Sequence, residues 1–219
     1  MNEFLLTIPF SFAALFPVLN PLGFSVIFLA LTQGAPAPIV NKLARQVAVN
    51  TFILLVAVLL IGAWILRFFG ISIPIVQVGG GLVMAHIGWN LLNQATTPSE
   101  NSDTAADEIS NKNIKDMAFF PLTMPITAGP GSMTVTLTLG AHELHPTLTA
   151  TAFAQAGVVV GIALSAITVF ICYRYARRLT NFFGTAGTQV VTRLSAFLTL
   201  CIGVSVTWKG VEGLIRPYI

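Results

Sequence analysis

Charge is scarce in this chain: Asp, Glu, Lys and Arg make up only 9% of its 219 residues. A soluble domain carries about 25% because its surface must face water, so an ordinary water-facing globule is excluded. Lipid is the remaining solvent, in keeping with 55% hydrophobic residues and a mean hydropathy of +0.82. The formal charge of +3 and pI of 9.1 do not indicate nucleic acid. The 11 basic residues are spread between apolar runs and form no basic groove; anionic headgroups suit them better. Cysteine is nearly absent too. Cys172 and Cys201 lie in apolar surroundings without zinc-site spacing, so they read as packing residues with no disulfide and no metal.

Other absences narrow the function. No stretch alternates polar and apolar, which excludes an outer-membrane barrel. No glycine-rich phosphate cradle with Lys and Ser/Thr is present, which argues against ATP-driven transport by this chain alone. The run His142 to His145, "HELH", resembles a metalloprotease motif only in part, since H-E-x-x-H needs histidine where Pro146 stands. The chain is therefore read as a non-enzyme that needs no cofactor. Its start, "MNEF", has no basic n-region, and no A-x-A site follows the first apolar run, so that run is expected to be a retained span.

What is there is length of apolar sequence. A membrane helix needs roughly 20 largely apolar residues, and segments 4–31, 47–66, 71–92, 117–140, 148–173 and 194–215 qualify. The expected fold class is all-α: a polytopic membrane protein with six transmembrane helices. Segments 32–46, 93–116 and 174–193 then share one side and hold eight basic residues, Lys42, Arg45, Lys112, Lys115, Arg174, Arg177, Arg178 and Arg193. The other side has three, Arg67, Lys209 and Arg216. The positive-inside bias predicts both termini on the periplasmic side.

The polar stretch at 96–115 divides the chain into a three-span half, 1–95, and a second, 116–219. It reads as a cytoplasmic linker, rich in turn formers such as Pro98, Asn101 and Asp103. Three is odd, so the second half enters the membrane from the opposite side and a shared repeat would be inverted. An internal echo supports one. Phe16-Pro17 with Pro21 matches Phe120-Pro121 with Pro125 at a constant offset of 104 residues, in the first span of each half. Small-residue clusters follow, "PLGFS" and "AGPGS". Matched Gly/Pro interruptions in corresponding spans point to a transporter binding site. Proline lacks an N–H and opens the helix; the freed carbonyls must face a cavity, water or a ligand rather than lipid. The new helix ends near midplane attract a carboxylate at one and a cation at the other, as a zwitterionic amino acid requires.

The candidate substrate-binding residues follow from these breaks. Asn20 offers donor and acceptor functions, for a ligand or as a cap on the reopened helix. Pro21 and Gly23 shape the first break, and Gly129, Pro130 and Gly131 the second. Thr127 and Ser132 flank the second break, either lining a cavity or bonding a preceding carbonyl. In the third span, Gly79, Gly80 and Gly81 permit close helix approach. His86 lies near midspan, facing a cavity or packed as a neutral ring. All eight acidic residues fall in loops or near span ends, leaving no midplane carboxylate as a proton relay.

At "NPLG" (Asn20 to Gly23) and "MPITAGPGS" (Met124 to Ser132) the chain resembles the MarC family of bacterial inner-membrane proteins, also called UPF0056. The resemblance covers essentially the whole length. It implies kinship with transporters of small neutral amino acids such as glycine and alanine, whose inverted-repeat fold is akin to the LysE exporter superfamily. Two inverted three-helix repeats, with a broken first helix in each half, are thus expected. The expected partners are a small polar solute and membrane lipids, with no nucleic acid. A coupling ion, sodium or proton, and a homo-oligomer stay open. Efflux of other small molecules or drugs, and a non-transporting scaffold or stress-accessory role, are the alternatives.

Overall fold

The computed structural model describes residues 2–93, 117–142 and 148–215. The central linker and the part of "HELH" beyond His142 lie outside the described residues. Every element is helical, because a backbone in lipid must satisfy its own hydrogen bonds. In chain order they are α1 (Asn2–Leu19), α2 (Pro21–Leu31), α3 (Ala37–Phe68), α4 (Ile73–Asn93), α5 (Ala118–Thr127), α6 (Pro130–His142), α7 (Leu148–Arg174) and α8 (Ala176–Ile215).

Four of these contain continuous stretches long and apolar enough to cross a membrane: Ala37–Phe68, Ile73–Asn93, Thr151–Arg174 and Ala186–Ile215. α1 and α2 together are also long and apolar enough for a crossing if taken as one span, bent by 41° at Asn20. The segment 117–140, the first of the second half and expected to be broken, is two short pieces, α5 and α6. They part at Ala128 and Gly129, before Pro130; within α5, Phe120 and Met124, the residues preceding Pro121 and Pro125, have extended backbone, and both X-Pro bonds are cis.

Two expected loops are also largely helical. α3 begins at Ala37 rather than Val47, and α8 at Ala176 rather than Leu194. Lys and Arg are good helix formers, so these helices run out of the apolar zone and carry Lys42, Arg45, Arg177, Arg178 and Arg193 with them. α8 is divided at Gly184, whose φ of 66° and ψ of −177° only glycine adopts readily.

α4 lies along α8, and α1 along α7. Around them α3 packs on α7, α5 and α6 pack on α3, α2 packs on α8, and α6 packs on α4. The α4–α8 crossing is close because Gly81 and Gly203 face each other backbone to backbone. Trp64, Phe68, Phe69 and Trp208 are exposed near one end of the bundle, the place where interfacial aromatics sit in membrane proteins. Both cysteines are free, Cys172 buried and Cys201 exposed.

Candidate functional site

The first break is a single residue. Asn20 adopts a left-handed conformation, φ 42° and ψ 55°, between α1 and α2. Asn tolerates this region better than other residues with a Cβ. Its Oδ1 accepts a hydrogen bond from the Gly23 N–H at 3.1 Å, capping α2, while Pro21 fills the first helical position, where its missing N–H costs nothing. The capping alternative is therefore realised. Gly23 is required by it: a Cβ there would lie 2.7 Å from Asn20 Oδ1. Asn20 is buried, and among the described residues its Nδ2 has no hydrogen-bond partner.

The second break is longer and irregular. Thr123 Oγ1 donates to the Ala118 carbonyl at 2.6 Å, and Thr127 Oγ1 to the Leu122 carbonyl at 2.7 Å. Both reach back five residues, as a widened helical turn requires. Gly129 joins α5 to α6, and its carbonyl accepts from Ser132 Oγ at 2.9 Å and from Met133 N–H at 3.2 Å. Pro130 opens α6. Gly131 has no side chain where Met84 of α4 enters. The Thr127 hydroxyl thus serves a carbonyl within the irregular segment, and Ser132 adds a second bond to the carbonyl that starts α6.

Tyr173, near the end of α7, links the second break to α2, and nothing in the sequence distinguished it from neighbouring Tyr175. Its hydroxyl lies 2.7 Å from Thr127 Oγ1. Thr127 already donates to Leu122, so Tyr173 is the donor in this bond. The Tyr173 ring stacks on Phe28 of α2, with centroids 4.6 Å apart. Both aromatics are fully buried. They line one end of a cavity of about 370 Å³ that also touches Thr32, Asn41 and the Arg174–Arg178 segment. At the other end of the bundle, a cavity of about 320 Å³ is bounded by four helices, with Phe10, Gln77, Thr138, Ser205 and Lys209 among its lining. Gln77 Nε2 donates to Thr138 Oγ1 there at 3.0 Å. The breaks lie between the two cavities.

Of the expected site residues, Asn20, Pro21 and Gly23 fall in the first break, and Thr127, Gly129, Pro130, Gly131 and Ser132 in the second. His86 is not with them. It is exposed on α4, two residues from Met84 and so on the far side of that helix, where Asn90 Nδ2 lies 2.9 Å from its Nε2. Among the described residues no group of three or more His, Cys, Asp or Glu could hold a metal ion.

The architecture defines an all-α integral membrane protein that crosses the bilayer several times. The family model of the MarC family integral membrane proteins matches residues 5–215, and the chain belongs to that family. The chain is 31% identical over 208 residues to the UPF0056 membrane protein YvbG of Bacillus subtilis (strain 168), covering 93% of each chain. It is 28% identical to the UPF0056 inner membrane protein MarC of Salmonella typhimurium, covering 100% of both chains. The corresponding Escherichia coli O1:K1 / APEC protein is 27% identical, with 93% of each covered. No solved structure matches the chain.

Proposed function

We propose that this protein carries a small neutral amino acid, such as glycine, alanine, serine or threonine, across the bacterial inner membrane by alternating access. The observation that carries this reading is that both backbone breaks fall, along their helices, between cavities at opposite ends of the bundle. Its solute site is formed by Asn20, Pro21 and Gly23 on one side and Thr127 to Ser132 on the other. The Asn20 amide N–H group is an available donor for a carboxylate, and carbonyls at the second break are acceptors for an ammonium group. Each cavity is at the small end of the range of about 300–1,000 Å³ typical of ligand pockets, which favours a compact solute over a drug.

The reading includes an inverted repeat in which α1–α2 corresponds to α5–α6, α3 to α7 and α4 to α8. Exchanging these labels turns the α1–α7 contact into α5/α6–α3, and α2–α8 into α6–α4, all of which occur. Relatives named as inner-membrane proteins support the location, and the basic extensions of α3 and α8 support periplasmic termini. The test is counterflow of labelled glycine, alanine, serine and threonine in proteoliposomes, with and without sodium and a pH gradient. Flux above empty vesicles that falls in Asn20→Gly is expected. Folded protein with no flux across the panel would sink the assignment and favour a scaffold; flux restricted to bulky apolar cations would favour drug efflux.

A further inference from the structure

α4 has two contrasting faces. Gly80, Gly81, Met84 and Gly88 are buried against α6 and α8. The opposite face exposes Gly79, Leu82, Val83, His86, Trp89 and Asn90. Apolar exposure of this kind needs only lipid. The His86–Asn90 pair does not fit that explanation. His86 is the fourteenth of 21 residues in a helix long enough to cross the membrane, so it lies a few ångströms from the helix centre.

The chemistry of the pair leaves a defined remainder. Asn90 Nδ2 can only donate, so His86 Nε2 is the acceptor in their 2.9 Å bond and the ring proton sits on Nδ1. His86 Nδ1–H and Asn90 Oδ1 are left over, one donor and one acceptor, without hydrogen-bond partners among the described residues. Polar groups left unpaired in hydrocarbon cost several kcal/mol each. Ionisable side chains in membrane helices almost always face protein or a water-filled cavity.

Gly79 supplies a second, independent observation. Its two neighbours in the glycine run have internal reasons to lack a side chain: a Cβ on Gly80 would strike Thr134, and one on Gly81 would strike α8. A Cβ on Gly79 would meet nothing within 4 Å. Seven residues from His86, it lies almost two full turns away on the same stripe, where a small residue admits the backbone of another helix.

We propose that this stripe is the surface through which two copies of the chain pair in the membrane, α4 against α4. A two-fold axis brings His86 Nδ1–H of one copy to Asn90 Oδ1 of the other and repeats the bond in reverse, so the leftover donor and acceptor are both satisfied. An isologous interface is self-complementary by symmetry, and a leftover of one donor and one acceptor meets that requirement. The proposal does not depend on the solute assignment.

The test uses the full chain with both native cysteines replaced (Cys172→Ala, Cys201→Ala). Val83→Cys, on the same exposed stripe of α4 and leaving His86 and Asn90 intact, is compared with Ile53→Cys, which sits on the exposed face of α3, under copper-phenanthroline oxidation in native membranes and after purification into liposomes. A homodimeric disulfide from Val83→Cys in both settings, well above that from Ile53→Cys, is expected. In parallel, dilution-dependent FRET between separately labelled copies in liposomes should show association weakened on the order of tenfold by His86→Leu with Asn90→Leu. Equal cross-linking of the two variants, cross-linking only to a different protein in native membranes, or undiminished FRET in the double-leucine variant would overturn the proposal.

Discussion

Tyr173 donates a 2.7 Å hydrogen bond to Thr127 Oγ1, 46 residues away in sequence, and both groups are buried. Through this bond and the Phe28 stack, α7 holds the irregular α5 segment and the C-terminal half of α2 in register. Tyr173→Phe removes the hydroxyl and keeps the ring, so Phe28 packing survives. Hydrogen bonds between membrane helices contribute about 0.6 kcal/mol on average, so the variant should unfold in SDS within about 1 kcal/mol of wild type. Under the transport reading, loosening the second break by a similar amount should lower counterflow by roughly fivefold. Tyr173→Ala should cost much more stability, about 3–5 kcal/mol, because it also empties the stack. Unaltered flux in the phenylalanine variant would leave Tyr173 a packing residue.

The Asn20 backbone conformation allows its capping and ligand roles to be separated. Asn20→Gly relieves the left-handed strain as it deletes the cap, so a stability loss of a few tenths of a kcal/mol, roughly, is expected. Asn20→Ala keeps the strained backbone and loses the cap, for about 2 kcal/mol in total. Both delete the amide N–H group, so both should lose counterflow alike if Asn20 touches the solute. Flux that tracks stability instead, near normal in the glycine variant and low in the alanine variant, would reduce Asn20 to a cap. Gly23→Ala displaces the Asn20 amide and should be non-additive with Asn20→Gly, because the cap can be lost only once.

The breaks were legible in the sequence because proline and glycine act locally. Pro21 next to Asn20, and Pro125 through Pro130, force an opening whatever surrounds them. The capping alternative for Asn20 followed from its side-chain chemistry, and Gly23 three residues on was compatible with it. Span existence was equally readable for 47–66, 71–92 and 148–173, where apolar length is the whole signal. Span ends were not. Lys42 and Arg45 mark polarity, but a helix can continue through a polar zone, as α3 does. Tyr173 was hidden because its role depends on which side of α7 faces α5, and Tyr175, two residues on, has the same chemistry but is exposed. His86 was misleading for the same reason: composition gave its depth, and only packing gave its direction.

Gly81 and Gly203 make the α4–α8 crossing the least forgiving contact in the bundle. A Cβ on Gly81 would lie 2.6 Å from the Thr207 N and 2.7 Å from the Gly203 carbonyl oxygen, both backbone atoms that no rotamer change can move. Gly81→Ala and Gly203→Ala should each cost about 1–3 kcal/mol or more, read as a lower SDS-unfolding midpoint in detergent. Gly79→Ala, in open space, should be neutral in the same assay or gain the roughly 0.5–1 kcal/mol by which alanine exceeds glycine in a helix interior. Equal losses at Gly79 and Gly81 would contradict the packing described for α4.

The two cavities predict opposite sidedness. Asn41 is exposed beside the cavity at the basic end, and Ser205 beside the cavity near the N-terminal half of α1. Under the orientation proposed from eight basic residues on one side against three on the other, the basic end would face the cytoplasm. In the background lacking Cys172 and Cys201, a membrane-impermeant maleimide should label Ser205→Cys from the outside of spheroplasts. Asn41→Cys should be labelled only in inside-out vesicles. The reversed pattern would invert the orientation while keeping two-ended access. Labelling of both sites from the same face would rule out cavities at opposite ends, and with them alternating access through the paired breaks.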